Sequence, residues 1–122
     1  MASIFKLLSL TLVLALVFQA YGDCSLSDIS IRHYETHDYA HGMPVWKVNI
    51  TNNCICTQSQ EKLNCTGFQS YLGIDEALLT VSDTECLVKQ GAPIYSSESV
   101  IFRYAWLPKF QFKPISSNIA CS

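Results

Sequence analysis

Six cysteines, Cys24, Cys54, Cys56, Cys65, Cys86 and Cys121, are the densest chemical signal in this 122-residue chain. Two chemistries are open to them, metal binding or oxidation to bridges. Structural zinc sites use Cys-x-x-Cys pairs or Cys/His knuckles, and Cys54-Ile55-Cys56 has the wrong spacing. The count is even, so in an oxidising compartment no thiol need stay free. Which pairing forms stays open at the level of sequence. Geometry adds one constraint. Cys54 and Cys56 share a face if they lie on a strand, but sit too far along it for an easy mutual bond, so they reach two different partners. Cys24 and Cys121 stand near the two ends, where bridges pin segments that otherwise fray.

His33, His37 and His41 recur at intervals of four, a spacing that would align metal ligands on a helix. A strand pattern runs into His33, and Gly42 and Pro44 follow closely, so the stretch reads as a polar loop with no metal site. Two glycan acceptor motifs occur, Asn49-Ile50-Thr51 and Asn64-Cys65-Thr66, and both asparagines fall on the polar side of an alternating stretch. No catalytic constellation is present. The chain has no Gly-x-Ser-x-Gly elbow, no His-Glu-x-x-His, no phosphate-cradling glycine loop and no Asp-x-Asp, and its carboxylates are scattered. A small bridged domain also has little interior to spare for a pocket. The chain reads as no enzyme and needs no cofactor.

The elements that must position these residues follow an export leader. Met1–Lys6 carries one cation, Leu7–Phe18 is an apolar run, and Gln19–Gly22 offers small residues at Ala20 and Gly22. That is the pattern of a cleaved secretory peptide over residues 1–22, too short in its apolar core to span a bilayer. A secreted domain over 23–122 is expected, with no membrane insertion after cleavage. Setting aside Lys6 leaves 7 cations against 10 carboxylates, a net charge of −3. An acidic balance disfavours nucleic-acid binding and membrane lysis, both of which need a cationic surface.

Period-two alternation marks strands over Asp28–His33, Val45–Thr51 and Ser99–Trp106, and in Glu61–Phe68 it puts Leu63 and Cys65 opposite Lys62 and Asn64. Asn52-Asn53 reads as a turn after the second of these. In Ser99–Trp106 both faces are largely apolar, so a central strand is expected. Lys109–Lys113 alternates again and is expected to pair with it across a hairpin at Pro108. Pro114 signals an edge or a bulge. Ile74–Val81 admits one helical turn, and its end, Leu79-Thr80-Val81, also reads as a strand. Lys89–Ala92 is expected to be a hairpin tip between Cys86–Val88 and Pro93–Tyr95. The fold class expected is all-β, a small disulfide-stabilised antiparallel sandwich burying Trp46, Phe102, Tyr104, Trp106, Phe110 and Phe112.

An ordered set of short motifs carries a resemblance. It runs from Cys24 with Ile29-Ser30-Ile31, through Pro44-x-Trp46-x-Val48-x-Ile50-x-Asn52-x-Cys54 and Cys65-Thr66-Gly67-Phe68-Gln69-Ser70, to Cys86-Leu87-Val88-x-x-Gly91-x-Pro93-Ile94, Val100-x-Phe102-x-Tyr104-Ala105-Trp106 and a final Ser116–Cys121. Over nearly all of residues 24–121 the chain resembles the plant tapetum-determinant family of small cysteine-rich secreted proteins. The stretch before Cys24 is shorter than in the founding member, so the chain looks like a short paralogue. The resemblance implies a ligand in the extracellular space, the apoplast. Its implied partner is the ectodomain of a leucine-rich-repeat receptor kinase, with a co-receptor kinase, in specification of tapetal cells in the anther. The contact region expected on such a ligand is the outer face around Arg103, Lys109 and Lys113, with Tyr39 or Tyr71. The competing readings are a secreted cell-wall or carbohydrate-binding module, which would need coplanar exposed aromatic rings, and a sugar-transferring enzyme, which the missing Asp-x-Asp opposes.

Overall fold

In the computed structural model, residues 24–121 are described, and the leader expected over residues 1–22 lies outside them. The alternation read from the sequence is realised as seven strands: β1 Ile29–Ala40, β2 Met43–Asn52, β3 Thr57–Asn64, β4 Leu79–Val81, β5 Glu85–Val88, β6 Ser99–Ala105 and β7 Lys113–Ala120. They form two antiparallel sheets, one ordered β1-β2-β6 and the other β4-β5-β3-β7. Among the described residues, helix is confined to short 3-10 turns at Leu26–Asp28 and Lys89–Gly91. Val48, Ile50, Phe102 and Tyr104 from the first sheet meet Leu63, Leu79, Val88 and Ile94 from the second, all buried. This is the expected disulfide-stabilised sandwich. Phe102, Tyr104 and Phe112 sit in its core, whereas Trp46, Trp106 and Phe110 are only partly buried and pack at its margin.

Four expectations are corrected. The histidine stretch is no loop: β1 continues through it to Ala40, which pairs with Met43. His41 (φ 52°) and Gly42 (φ 78°) form the two-residue turn between them. Positive φ at both central positions is the turn whose twist matches antiparallel strands, with His41 standing where Asn or Asp is usual. Strand β6 is an edge of its sheet, not its centre. The segment before Lys113 does not pair across a hairpin. Phe110 and Phe112 instead turn their rings into a cluster with Phe68 and Tyr104, and Phe110 N–H bonds to the Tyr104 hydroxyl at 2.8 Å. The strand that follows, β7, is an edge strand on β3 with Pro114 opposite Leu63 and a shifted register, as the proline signals.

Finally, Lys89–Ala92 is not a hairpin tip. Leu87 pairs with Lys62 and Ile94 bridges Gln58, so both flanks run along the same edge of β3. The turn between them passes over Gln60, and a Cβ on Gly91 would come within 2.6 Å of the Gln60 side chain. The middle segment satisfies both of its readings. Leu79 N–H bonds to the Asp75 carbonyl in one helical turn, and Leu79 then opens β4.

The bridges lock this arrangement. Cys24–Cys54, Cys56–Cys121 and Cys65–Cys86 have Cα separations of 5.8, 4.5 and 5.9 Å. Cys54 and Cys56 thus reach different partners, one at each end of the domain. The loop carrying them hangs on Asn52, which is fully buried rather than a surface turn residue. Asn52 Nδ2 donates to the carbonyls of Cys56 (2.8 Å) and Ile94 (2.9 Å), and its Oδ1 accepts from Cys54 N–H (3.0 Å). Truncation to alanine removes three hydrogen bonds to the backbone at once. Asn52→Ala is expected to lower unfolding free energy by about 2 kcal/mol, read as an earlier urea midpoint. An unchanged midpoint would show that the loop is held by its bridges alone.

Candidate recognition surface

Between Glu35, which faces Trp46, and Tyr39, which faces Pro44, strand β1 carries extra residues. This bulge is held by Thr36, whose Oγ1 donates to Val45 O (2.7 Å) and accepts from Asp38 N–H (3.2 Å). His37 adopts φ 65°, unusual for a residue with a side chain. Bulges re-aim side chains at the margins of sheets, and here Tyr39 is left 73% exposed. Beside the bulge lies a groove of about 270 Å³ lined by Tyr39, Pro44, Trp46 and Leu107, with Glu35 and Asp38 among its walls. Trp46 Nε1 donates to Trp106 O (3.1 Å), and Lys109 Nζ stands 5.8 Å from the Trp46 ring. Further round, Tyr71 stacks on Trp106 with centroids 5.3 Å apart and 30° between planes, and His41 lies 5.3 Å from Tyr71. Each of the two stacked rings covers a face of the other. They do not lie side by side as the flat platform a sugar-binding surface presents.

The residues singled out in the sequence are distributed as follows. Arg103 faces outward on β6, beside Lys47 of β2 and 3.8 Å from Asp38. Both members of that ion pair are more than half exposed, so it contributes little to stability. Lys109 lies in the loop after β6, near the Trp46 ring, while Lys113 opens β7 in the other sheet, opposite Asn64. Asn49 lies on the outer face of β2, its Oδ1 accepting from Thr51 Oγ1 (2.7 Å). Asn64 is exposed at the end of β3, its Oδ1 bonded to Thr66 Oγ1 (2.8 Å) and Thr66 N–H (3.1 Å). Both acceptor asparagines therefore stand outside the core.

The histidines do not converge. His33 is stacked on Phe112 at 6.0 Å, and burial, seconded by Lys109, pulls its pKa below the ordinary imidazole value. His37 lies in the bulge and His41 in the turn. Among the described residues, one group could bring three metal-binding atoms together, the sulfurs of Cys24, Cys54 and Cys56 within 4.8 Å. All three are in bridges, which leaves no thiolate to ligate.

Sequence reasoning passed over Glu61. It is fully buried on β3, and neither carboxylate oxygen has a hydrogen-bond partner among the described residues. Burial pushes its pKa up to about 7, with the neighbouring Ser117 hydroxyl acting the other way; that hydroxyl donates to Gln58 Oε1 at 2.7 Å. The signal was present in the alternation, since Glu61 shares parity with inward Leu63 and Cys65. What the whole surface offers is shape, aromatic area and charge on a cross-linked frame, which is the equipment of recognition.

The comparisons with known proteins agree with the motifs. A family profile described as Tapetum determinant 1, C-terminal, matches residues 25–122. TPD1 protein homolog 1 of Arabidopsis thaliana is 28% identical over 102 residues, covering 81% of this chain and 56% of that protein. TPD1 protein homolog 1B of Oryza sativa subsp. japonica is 28% identical over 100 residues, covering 80% and 58%. An uncharacterized protein of Arabidopsis thaliana is 29% identical over 80 residues, covering 62% of each chain. The chain thus spans a little over half the length of the two TPD1 homologues. No solved structure matches it.

Proposed function

The chain belongs to the Tapetum determinant 1, C-terminal family, and from that premise we propose that it is a secreted apoplastic ligand for the ectodomain of a leucine-rich-repeat receptor kinase. Its role is plant cell-fate signalling of the kind that specifies the tapetum in the anther, with a co-receptor kinase completing the complex. It acts by being bound and catalyses nothing. The observation that carries this reading is the rigid frame: three bridges tie both ends and the core of one sandwich. A frame of that kind has little conformational freedom left to lose on docking. Repeat receptors present long concave surfaces suited to a compact guest. The exposed Tyr39 and Leu107 beside the groove supply apolar contact area, and the outward Arg103 and Lys109 supply charge. Glycans on Asn49 and Asn64 would stand on polar surface without disturbing the core.

The reading is tested by pull-down of the oxidised, secreted protein against a panel of leucine-rich-repeat ectodomains. One or a few ectodomains are expected to be captured by the bridged protein and lost when all six cysteines are replaced by serine. Capture of none, or equal capture by the cysteine-free variant, would overturn it.

A further inference from the structure

An edge strand alternates between residues whose backbone groups bond its neighbour and residues whose groups face out. On β6 the parity is set at both ends. Asn52 N–H bonds to the Glu98 carbonyl at 3.1 Å, so even-numbered residues face β2. At the other end Ala105 faces away: its N–H bonds to Ser70 Oγ (2.9 Å) and its carbonyl accepts from Tyr71 N–H (3.0 Å). Ile101 and Arg103 share the parity of Ala105 without its cover. Their N–H and C=O groups have no protein partner among the described residues. Alongside runs a groove of about 330 Å³, bounded by Ile74, Asp75 and Leu78 on one side and by Ile101, Phe102 and Arg103 on the other, so Asp75 keeps a partner's acidic residue out of the groove and leaves it only the outer side. Ile101 is 42% exposed beside it.

Charge narrows what can lie there. Arg103 stands directly across from Lys47 on β2, a like-charge pair that is unfavourable in a sheet. Its nearest carboxylate, Asp38, is 3.8 Å away and largely solvated.

We propose that the open edge of β6 is a docking site for an extended segment of a protein partner, added as a fourth strand next to Ile101 and Arg103, with apolar residues alternating with acidic ones. The apolar residues turn into the groove against Ile74 and Leu78, and an acidic residue faces Arg103 on the outer side. Main-chain bonds supply affinity in strand addition and the alternate side chains supply specificity. A second copy of this chain fits less well, since its own β6 brings another Arg103 and no carboxylate. The site stands whether or not the partner is a receptor kinase.

The test uses the oxidised, isotope-labelled protein and three synthetic hexapeptides. One alternates Val with Glu and Thr, the second carries Lys in place of Glu, and the third is the first with N-methylated backbone. The acidic peptide is expected to slow amide exchange at Ile101 and Arg103 about tenfold. The lysine peptide should bind about fivefold more weakly, and the N-methylated one should leave both amides unchanged. Ile101→Pro removes an N–H that no group among the described residues uses, so the ladder to β2 survives and peptide binding is lost. Arg103→Glu should invert the preference between the acidic and lysine peptides, which keeps the test decisive if the proline variant does not fold. Three outcomes overturn the proposal: no slowing at either amide, equal slowing by the N-methylated peptide, or protection that rises with protein concentration in the absence of peptide, which would assign the edge to a second copy.

Discussion

Reduction of the three bridges under otherwise native conditions is expected to unfold the domain. The bridges close loops with sequence separations of 30, 65 and 21 residues. Chain-entropy arithmetic then assigns them about 4, 4 and 3 kcal/mol. A domain of this size has a total stability of about 5–15 kcal/mol, so the covalent share is comparable with the whole. The loops overlap and the contributions do not simply add, but a loss of even two-thirds leaves little. Structure sharpens the expectation beyond loop length. Cys56–Cys121 ties the end of β7 to the loop before β3, and β7 is an edge strand whose register on β3 is twice shifted. Cys65–Cys86 lies in the core with both residues buried, and its removal also leaves a void. Circular dichroism and amide dispersion should collapse on addition of a thiol reductant and return on reoxidation. A reduced protein that kept its dispersed spectrum would show that the packed core suffices alone, and would remove the rigidity on which the ligand reading rests.

The parts of this fold that could be read in advance are those fixed by neighbours in the chain. Trp46-Lys47-Val48-Asn49-Ile50 alternates because one face of β2 meets the core and the other meets solvent, and both outcomes are visible residue by residue. Strand geometry sends Cys54 and Cys56 to separate partners, and they do part, although the segment that carries them is a loop and not a strand. The misread elements depend on distant partners. Ile101 and Ala105 made β6 look buried on both faces, yet Ala105 is covered by Ser70 and Tyr71, more than thirty residues away, and Ile101 borders a groove. Phe110 and Phe112 alternate as a strand would, but their rings pack with Phe68 and Tyr104, and the Phe110 backbone is held by the Tyr104 hydroxyl. Asn52 looked like a turn residue because turns and buried caps use the same side chain for the same reason, its capacity to bond backbone groups. The recognition surface was legible as residue types and illegible as a patch, because Arg103 lies on β6 in one sheet, Lys109 in the loop that follows it and Lys113 on β7 in the other sheet.

The second large effect comes from Glu61. Placed fully inside the sandwich with no hydrogen-bond partner among the described residues, its carboxyl is held protonated up to about pH 7, against an ordinary value of 4.5. The folded state therefore keeps a proton that the unfolded chain releases at lower pH. Where the native state binds more protons, stability falls as pH rises. Stability from this group is at its full value below about pH 4.5, declines through the interval up to about 7 and is lower by about 3 kcal/mol beyond it. Other groups slope the opposite way. His33 has a depressed pKa, so its contribution is lost as pH falls through the imidazole range, and Glu98, held low by the Lys89 ammonium at 2.8 Å, loses its contribution in acid. The comparison that isolates Glu61 is therefore between the protein and Glu61→Gln, a neutral mimic of the protonated acid. The two should unfold at similar urea concentrations near pH 4, and the variant should be the more stable by about 3 kcal/mol at pH 8. A difference that stays constant across that range would mean that the carboxyl titrates as it does in water, and hence that water reaches it. A protonated, buried Glu61 instead makes this one group's contribution largest in acidic solution, against the slope of His33 and Glu98.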